Sequence, residues 1–171
     1  MTFELLLLRH AKSVWPVGVS DIHRPLSKRG IKNAAQLGEW LRKRGIEPDL
    51  ALVSPARRTK QTIDLVIDAA DLHIDPVVDH RLYAASWWDV LDVVRQAPSS
   101  AHRLLVVGHN PSLEDLAIQL AGLESDDDSL NTLRTKFPTC ALAVLSSDQE
   151  WSDWGSGQAQ LNDLRTPRRS R

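Results

Sequence analysis

Residues 3–13 read FELLLLRHAKS. Six mostly apolar residues, Phe3–Leu8, run straight into Arg9 and His10. A continuous apolar run of this length fits a strand buried on both faces, as in a parallel sheet covered by helices on each side. Leu50–Val53 repeats the pattern and ends in Ser54-Pro55. Arg103–Val107 repeats it again and ends in Gly108-His109-Asn110-Pro111.

Helical patterns separate these runs. In Ile31–Arg44, Ala34, Leu37, Trp40 and Leu41 recur at helical spacing, and Gly45 sits where a helix commonly stops. Thr59–Ala70 places Ile63, Val66, Ile67 and Ala70 on one side. Ser86–Gln96 has Ser86 as its cap and Trp87, Val90, Leu91 and Val94 facing inward. A further helix runs to about Ala121, with Asn110 as cap and Pro111 at its first position. His73–Val78 reads as a short extended piece, Ala141–Leu145 as a fourth strand and Gln158–Leu161 as an edge strand. Strands alternating with helices predict an α/β fold with a mainly parallel sheet. "ESDDDS" at Glu124–Ser129 reads as a solvated acidic turn.

The totals narrow the class. The 171 residues fit one domain with a proper core, assigned to 1–162, with 163–171 a frayed basic tail. The chain is 42% hydrophobic and 25% charged with a net charge of −1, so no global charge points to nucleic acid or an anionic membrane. One cysteine, Cys140, forms no internal disulfide, which fits a reducing, cytoplasmic setting. Leu5–Leu8 is too short to cross a bilayer and lacks the flanks of a signal peptide.

The strand ends carry the functional signal. Ligands of open parallel sheets bind beyond the carboxyl ends of the strands. Arg9-His10, Arg57-Arg58 and His109-Asn110 all fall there. Either histidine alone reads more naturally as a structural residue, and Arg57-Arg58 alone as an exposed helix start. Together they describe a concave cluster of donors suited to an anion, and guanidinium matches phosphate best. The helix after Pro111 adds its positive end.

At these residues the chain resembles the histidine phosphatase superfamily, the RHG-motif or phosphoglycerate-mutase-like family. Its SixA-type phosphohistidine phosphatases are the nearest likeness. The matching pieces are "LLLLRHAKS", "RPLSKRG" at Arg24–Gly30, "LVSPARRTKQT" at Leu52–Thr62, "VVGHNPSLEDLA" at Val106–Ala117 and "KFPTCALAVL" at Lys136–Leu145. The resemblance implies a three-layer α/β/α sandwich, its mainly parallel sheet carrying an antiparallel edge strand. It implies that His10 accepts the phosphoryl group, with Arg9, Arg58 and His109 as catalytic partners. Ser13, Asn110 and Arg57 are candidate substrate contacts. Ala11 stands where much of the superfamily has glycine, and Pro16 where mutases have asparagine. No carboxylate falls squarely at the general-acid position; Asp79 and His80 are the available proton donors.

The implied activity is hydrolysis of a P–N bond in a phosphohistidine-containing protein through a phosphohistidine enzyme. The alternatives are a small-molecule phosphomonoesterase on the same scaffold and a non-catalytic phospholigand-binding module. Flanking Arg9 and Arg58 are expected to keep His10 neutral, with a backbone carbonyl or a carboxylate fixing its tautomer. Two histidines without a carboxylate pair make a poor metal set, so the expected reaction needs no metal and no cofactor.

Overall fold

In the computed structural model, which describes residues 1–168, the opening apolar run becomes strand β1, Phe3–Arg9. Its side chains alternate between two separate cores. Phe3, Leu5 and Leu7 enter one, and Leu6 and Leu8 enter the other. Hence the run shows no polar face: neither side of the strand meets water.

The remaining elements follow in order: α1 (Lys28–Arg44), β2 (Leu50–Val53), α2 (Arg57–Ala70), β3 (Val77–Val78), α3 (Trp87–Arg95), β4 (Arg103–Gly108), α4 (Ser112–Leu120), α5 (Asp127–Thr135), β5 (Leu142–Ser147) and β6 (Gln160–Arg165). The sheet order is β3-β2-β4-β1-β5-β6. β3, β2, β4 and β1 run parallel. Direction reverses at β5, one position in from the edge, and β6 pairs antiparallel to it. The layers are those of an α/β/α sandwich. One core joins Ala34, Leu37 and Leu41 of α1 and Ile63, Val66 and Ala70 of α2 to one sheet face. The other joins α3, α4, Leu133 of α5, Trp151 and Trp154 to the opposite face.

Local chemistry explains most of the boundaries. The Ser27 hydroxyl accepts from the Gly30 amide, so α1 begins three residues before the periodicity starts. Gly45 ends it in the left-handed conformation (φ 63°), its N–H returning to Arg42 and Leu41 carbonyls. Ser86 and Asp89 form a reciprocal capping box at α3.

Four expectations are corrected. Glu124–Ser129 is not merely a solvated acidic turn. Asp126 caps α5 by accepting from the Ser129 amide, and Asp127 and Asp128 sit in the first turn, where the helix dipole favours them. Asn110 does not cap α4. That helix opens at Ser112, and the Asn110 amide instead donates to Glu114 and to the Phe137 carbonyl. Only Val77–Val78 of the extended piece pairs in the sheet. β6 continues through Asp163–Arg165, residues expected in the tail, because Leu142 and Val144 of β5 supply their partners. The last three tail residues, 169–171, lie outside the described residues.

Gly30 ties α1 to the loop after His10. A Cβ there would run into the Lys12 carbonyl oxygen, which already accepts from the Ser27 amide at 2.8 Å. Gly30→Ala must push backbone against backbone. It is expected to cost roughly 1–3 kcal/mol, lowering Tm by about 2–4 °C per kcal/mol. Thermal unfolding of the variant checks this, and an unchanged Tm contradicts it.

Candidate active site

Three neighbouring strands end side by side. In β1 and β4, Arg9 pairs with Gly108, and in β4 and β2, Val107 pairs with Val53. The next residue of each chain segment is His10, His109 or Ser54. The His10 amide bonds the Gly108 carbonyl, and the Ser54 amide bonds the Val107 carbonyl. Adjacent strands lie about 4.8 Å apart, so the sheet itself brings these side chains together. The His10 and His109 ring centroids are 5.3 Å apart. A cavity of ≈ 390 Å³ opens over them, and Arg9, Ser13, Arg58 and Asn110 also line it.

His10 is buried at 8% exposure. Its Nδ1 lies 2.7 Å from the Ala11 carbonyl oxygen. A carbonyl only accepts, so Nδ1 carries the proton and Nε2 keeps its lone pair. Burial lowers the His10 pKa to about 4, with Arg58, Arg9 and Arg24 adding to the effect against the Ala11 bond. The ring is therefore neutral as expected, but burial outweighs the arginines as the cause. The expected tautomer anchor is the carbonyl of the very next residue.

His109 has the opposite tautomer. Arg58 Nη2 lies 3.3 Å from His109 Nδ1, and guanidinium can only donate. Neutral His109 therefore carries its proton on Nε2 and donates to Ser54 Oγ at 2.7 Å. Burial first, then His10 and Arg58, lower its pKa to about 3.

Both arginines keep donors in reserve. Arg9 Nη1 bonds the Phe137 carbonyl at 2.9 Å, and burial lowers its pKa. Arg58 Nη1 bonds the Asp21 carbonyl, and its Nη2 bonds the Asp21 carboxylate at 3.1 Å. The Nε of Arg9 and the Nε of Arg58 are buried with no protein partner. A buried donor without an acceptor costs about 1–3 kcal/mol, and more on a charged group. Both guanidinium side chains line the one cavity, which makes it a place suited to an anion.

Cations at the start of α2 oppose its dipole, and the two arginines there meet different fates. Arg58 is buried in the cavity wall, whereas Arg57 is exposed and outside it. Asp79 and His80 also lie outside the lining. Asp79 caps the turn His80–Leu82 and pairs with Arg81 at 2.7 Å, an interaction that lowers its pKa. These three residues are therefore not among those that line the cavity. Ser13 stays, accepting from Arg24 Nη2 at 2.6 Å.

Sequence reasoning missed Lys12, Trp15, Ala84 and Thr139 of the lining, and with them three residues that form one bonded group: Asp21, Arg24 and Tyr83. Asp21 opens a short turn, Asp21–His23, Arg24 follows it, and Tyr83 follows another. Buried Arg24 pairs with Asp21 at 3.0 Å and lies over the Trp15 ring at 3.3 Å. The Tyr83 hydroxyl donates to Asp21 at 2.7 Å. That bond first, then Arg24 and Arg58, hold the Asp21 carboxyl far below the usual range. None of the three sits in a periodic segment; only the phrase "RPLSKRG" pointed toward Arg24.

Among the described residues, no group of three or more His, Cys, Asp or Glu side chains is arranged to hold a metal ion. No helix among them is long and apolar enough to cross a membrane.

The chain matches the family described as the histidine phosphatase superfamily (branch 1) over residues 5–87. An uncharacterised protein of Mycobacterium tuberculosis (strain H37Rv) is 37% identical, covering 94% of this chain and 100% of its own. A 2,3-bisphosphoglycerate-dependent phosphoglycerate mutase of Nocardia farcinica is 41% identical over 88 residues, 48% of this chain and 35% of its own. Among solved structures, a protein of Agrobacterium tumefaciens provisionally named phosphohistidine phosphatase SixA superposes with a TM-score of 0.81 and 30% identity, covering 96% of this chain and 98% of that one. A protein of Nakamurella multipartitia with the same provisional name gives a TM-score of 0.82 at 29% identity, covering 98% and 97%.

Proposed function

The chain belongs to the histidine phosphatase superfamily, and from that premise we propose that it hydrolyses the P–N bond of a phosphohistidine-bearing protein, with His10 as the phosphoryl acceptor. The observation that carries this reading is the convergence of Arg9 and Arg58 on one cavity with a neutral imidazole whose free nitrogen is Nε2.

The reaction runs in two in-line steps. His10 Nε2 attacks phosphorus while the bond to the substrate's ring nitrogen breaks. The electron pair returns to that ring, which leaves as neutral imidazole if its distal nitrogen carries a proton. His10 is then a phosphoimidazolium whose Nδ1–H still rests on the Ala11 carbonyl. Water next adds to phosphorus, dihydrogen phosphate departs, and His10 returns to its neutral form. Arg9 and Arg58 hold the equatorial oxygens, which is positioning and charge stabilisation. An arriving phosphoryl dianion favours protonation of His109, which then donates to it.

Among the described lining residues the one carboxyl, Asp21, is held ionised, so it is not set to protonate an alkoxide. General-acid help is worth about 10²–10⁴-fold, so esters should suffer and a protonated imidazole should not. The expected result is a higher kcat/KM for a phosphohistidine peptide than for p-nitrophenyl phosphate, unchanged in excess chelator. Equal or reversed rates favour the phosphomonoesterase reading, which the similarity to a phosphoglycerate mutase supports.

The histidines also set the pH behaviour. The free-enzyme pKa values govern kcat/KM, so the acid limb due to His10 is expected near pH 4 rather than 6.5. Stability follows the same shifts. His10 and His109 bind protons more weakly folded than unfolded, so between pH 6.5 and about 4 the unfolded chain holds more protons. The contribution is complete above 6.5 and lost as pH falls through that window. Urea midpoints at pH 7 and 4.5 should differ in that direction, and the double variant His10→Asn/His109→Asn should shrink the difference.

A further inference from the structure

The cavity is walled by cations: Arg9, Lys12, Arg24 and Arg58 line it together with the neutral histidines. Asp21 is the one carboxylate among its described lining residues. It is exposed, whereas His10 of the same cavity is buried. In-line transfer places the leaving group opposite the attacking nitrogen, and therefore toward the open mouth. Of the lining residues, Asp21 is exposed and Tyr83 part-exposed, so both reach nearer to solvent than buried His10.

A carboxylate beside a phosphate site is unfavourable unless it does something the anion needs. Here it bridges Arg24 at 3.0 Å and Arg58 at 3.1 Å. Resting on the phosphohistidine reading, we infer that Asp21 is a specificity-determining residue that recognises the cationic leaving group, the protonated imidazole ring of the phosphohistidine. Phosphate oxygens take over Arg58, and Asp21 keeps Arg24 and Tyr83 while its freed oxygen accepts from the ring's distal N–H. The bonds balance without a further reactant: P–N breaks, the pair returns to the ring nitrogen, and the proton stays on the distal nitrogen throughout. Asp21 thereby raises the fraction of substrate already protonated at neutral and alkaline pH. An alcohol leaving group carries no such proton, so an ester gains nothing from it.

The charged and titratable groups facing Asp21 are Arg24 from its own segment, Arg58 from α2 and Tyr83 from the turn before α3, with His10, His109, Arg9 and Lys12 around the same cavity. Hydrogen bonding to Asp21 raises the Tyr83 pKa, so Tyr83 remains a donor across the working range.

The test compares kcat/KM for a chemically phosphorylated histidine peptide and for p-nitrophenyl phosphate, from pH 6 to 9, in wild type, Asp21→Asn, Asp21→Glu and Tyr83→Phe. Asp21→Asn is expected to lower the ratio of the two by roughly tenfold, the effect of about one pKa unit on the substrate ring. The alkaline limb for the peptide should move to lower pH by a similar amount. Asp21→Glu should restore most of the ratio, and Tyr83→Phe should lower it less. A parallel fall on both substrates with the peptide's pH profile unmoved would show that Asp21 only braces its arginines, and would overturn the inference. If Asp21→Asn fails to fold, Tyr83→Phe decides between the same two outcomes. A wild-type enzyme without turnover of the peptide overturns the phosphohistidine reading itself, a separate result from an unchanged ratio in an active variant.

Discussion

His10→Ala is expected to lower phosphohistidine turnover by at least about 10⁴-fold, the scale on which removal of a covalent nucleophile acts. The same variant should retain no acid-labile phosphoenzyme after brief exposure to radiolabelled substrate, while wild type retains it. The reason lies in the geometry. Among the described residues lining the cavity, His10 Nε2 is the ring nitrogen left without a proton or a donor, since His109 Nδ1 already faces Arg58. His109 has no equivalent freedom and should not substitute. Rapid quench into alkaline detergent, which preserves a P–N bond, would read the label directly. A labelled His10→Ala protein would move the nucleophile elsewhere and end the proposed mechanism.

Arg58→Ala should produce the second largest effect, about 10³-fold in kcat/KM, as for arginines that stabilise a transferring phosphoryl group. One guanidinium here does three things. It lines the anion's cavity, approaches His109 Nδ1, and holds the Asp21 turn by carbonyl and carboxylate. Arg58→Lys should recover little, because an ammonium cannot span these directions at once. Arg57→Ala, one residue earlier and solvent-exposed, should behave as wild type. Steady-state kinetics on the three variants decide the point. Equal losses from both arginines would mean that the register of α2 differs from the one described.

The contrast between Arg57 and Arg58 also shows what a sequence can reveal. Strand ends were legible because burial on both faces leaves an unbroken apolar run in β1 and β4, and the end of such a run is conspicuous. Arg9, His10 and His109 follow directly from those ends. Choosing between two adjacent arginines required the family's spacing, since apolar periodicity does not distinguish the first from the second residue of a helix.

Asp21, Arg24 and Tyr83 left no such trace. They sit in irregular segments, where hydrogen bonds such as Tyr83 to Asp21, 62 residues apart, replace periodic packing. Helix α5 was hidden for a different reason. Its first turn carries the acidic run that resembles a loop, although Asp126 is a good cap and Leu130 and Leu133 keep helical spacing. Asp79 was offered only by the family's general-acid position, not by any periodic or strand-end signal, and its neighbour Arg81 engages it.

The acceptor of the His10 proton is a peptide oxygen, that of Ala11. Substituting a side chain does not delete it, and glycine or alanine at position 11 presents it equally well. Readiness of the nucleophile is therefore inherited with the course of the main chain. Mutation can retune rate and preference through the surrounding arginines and Asp21, while the attacking nitrogen stays armed across wide sequence drift.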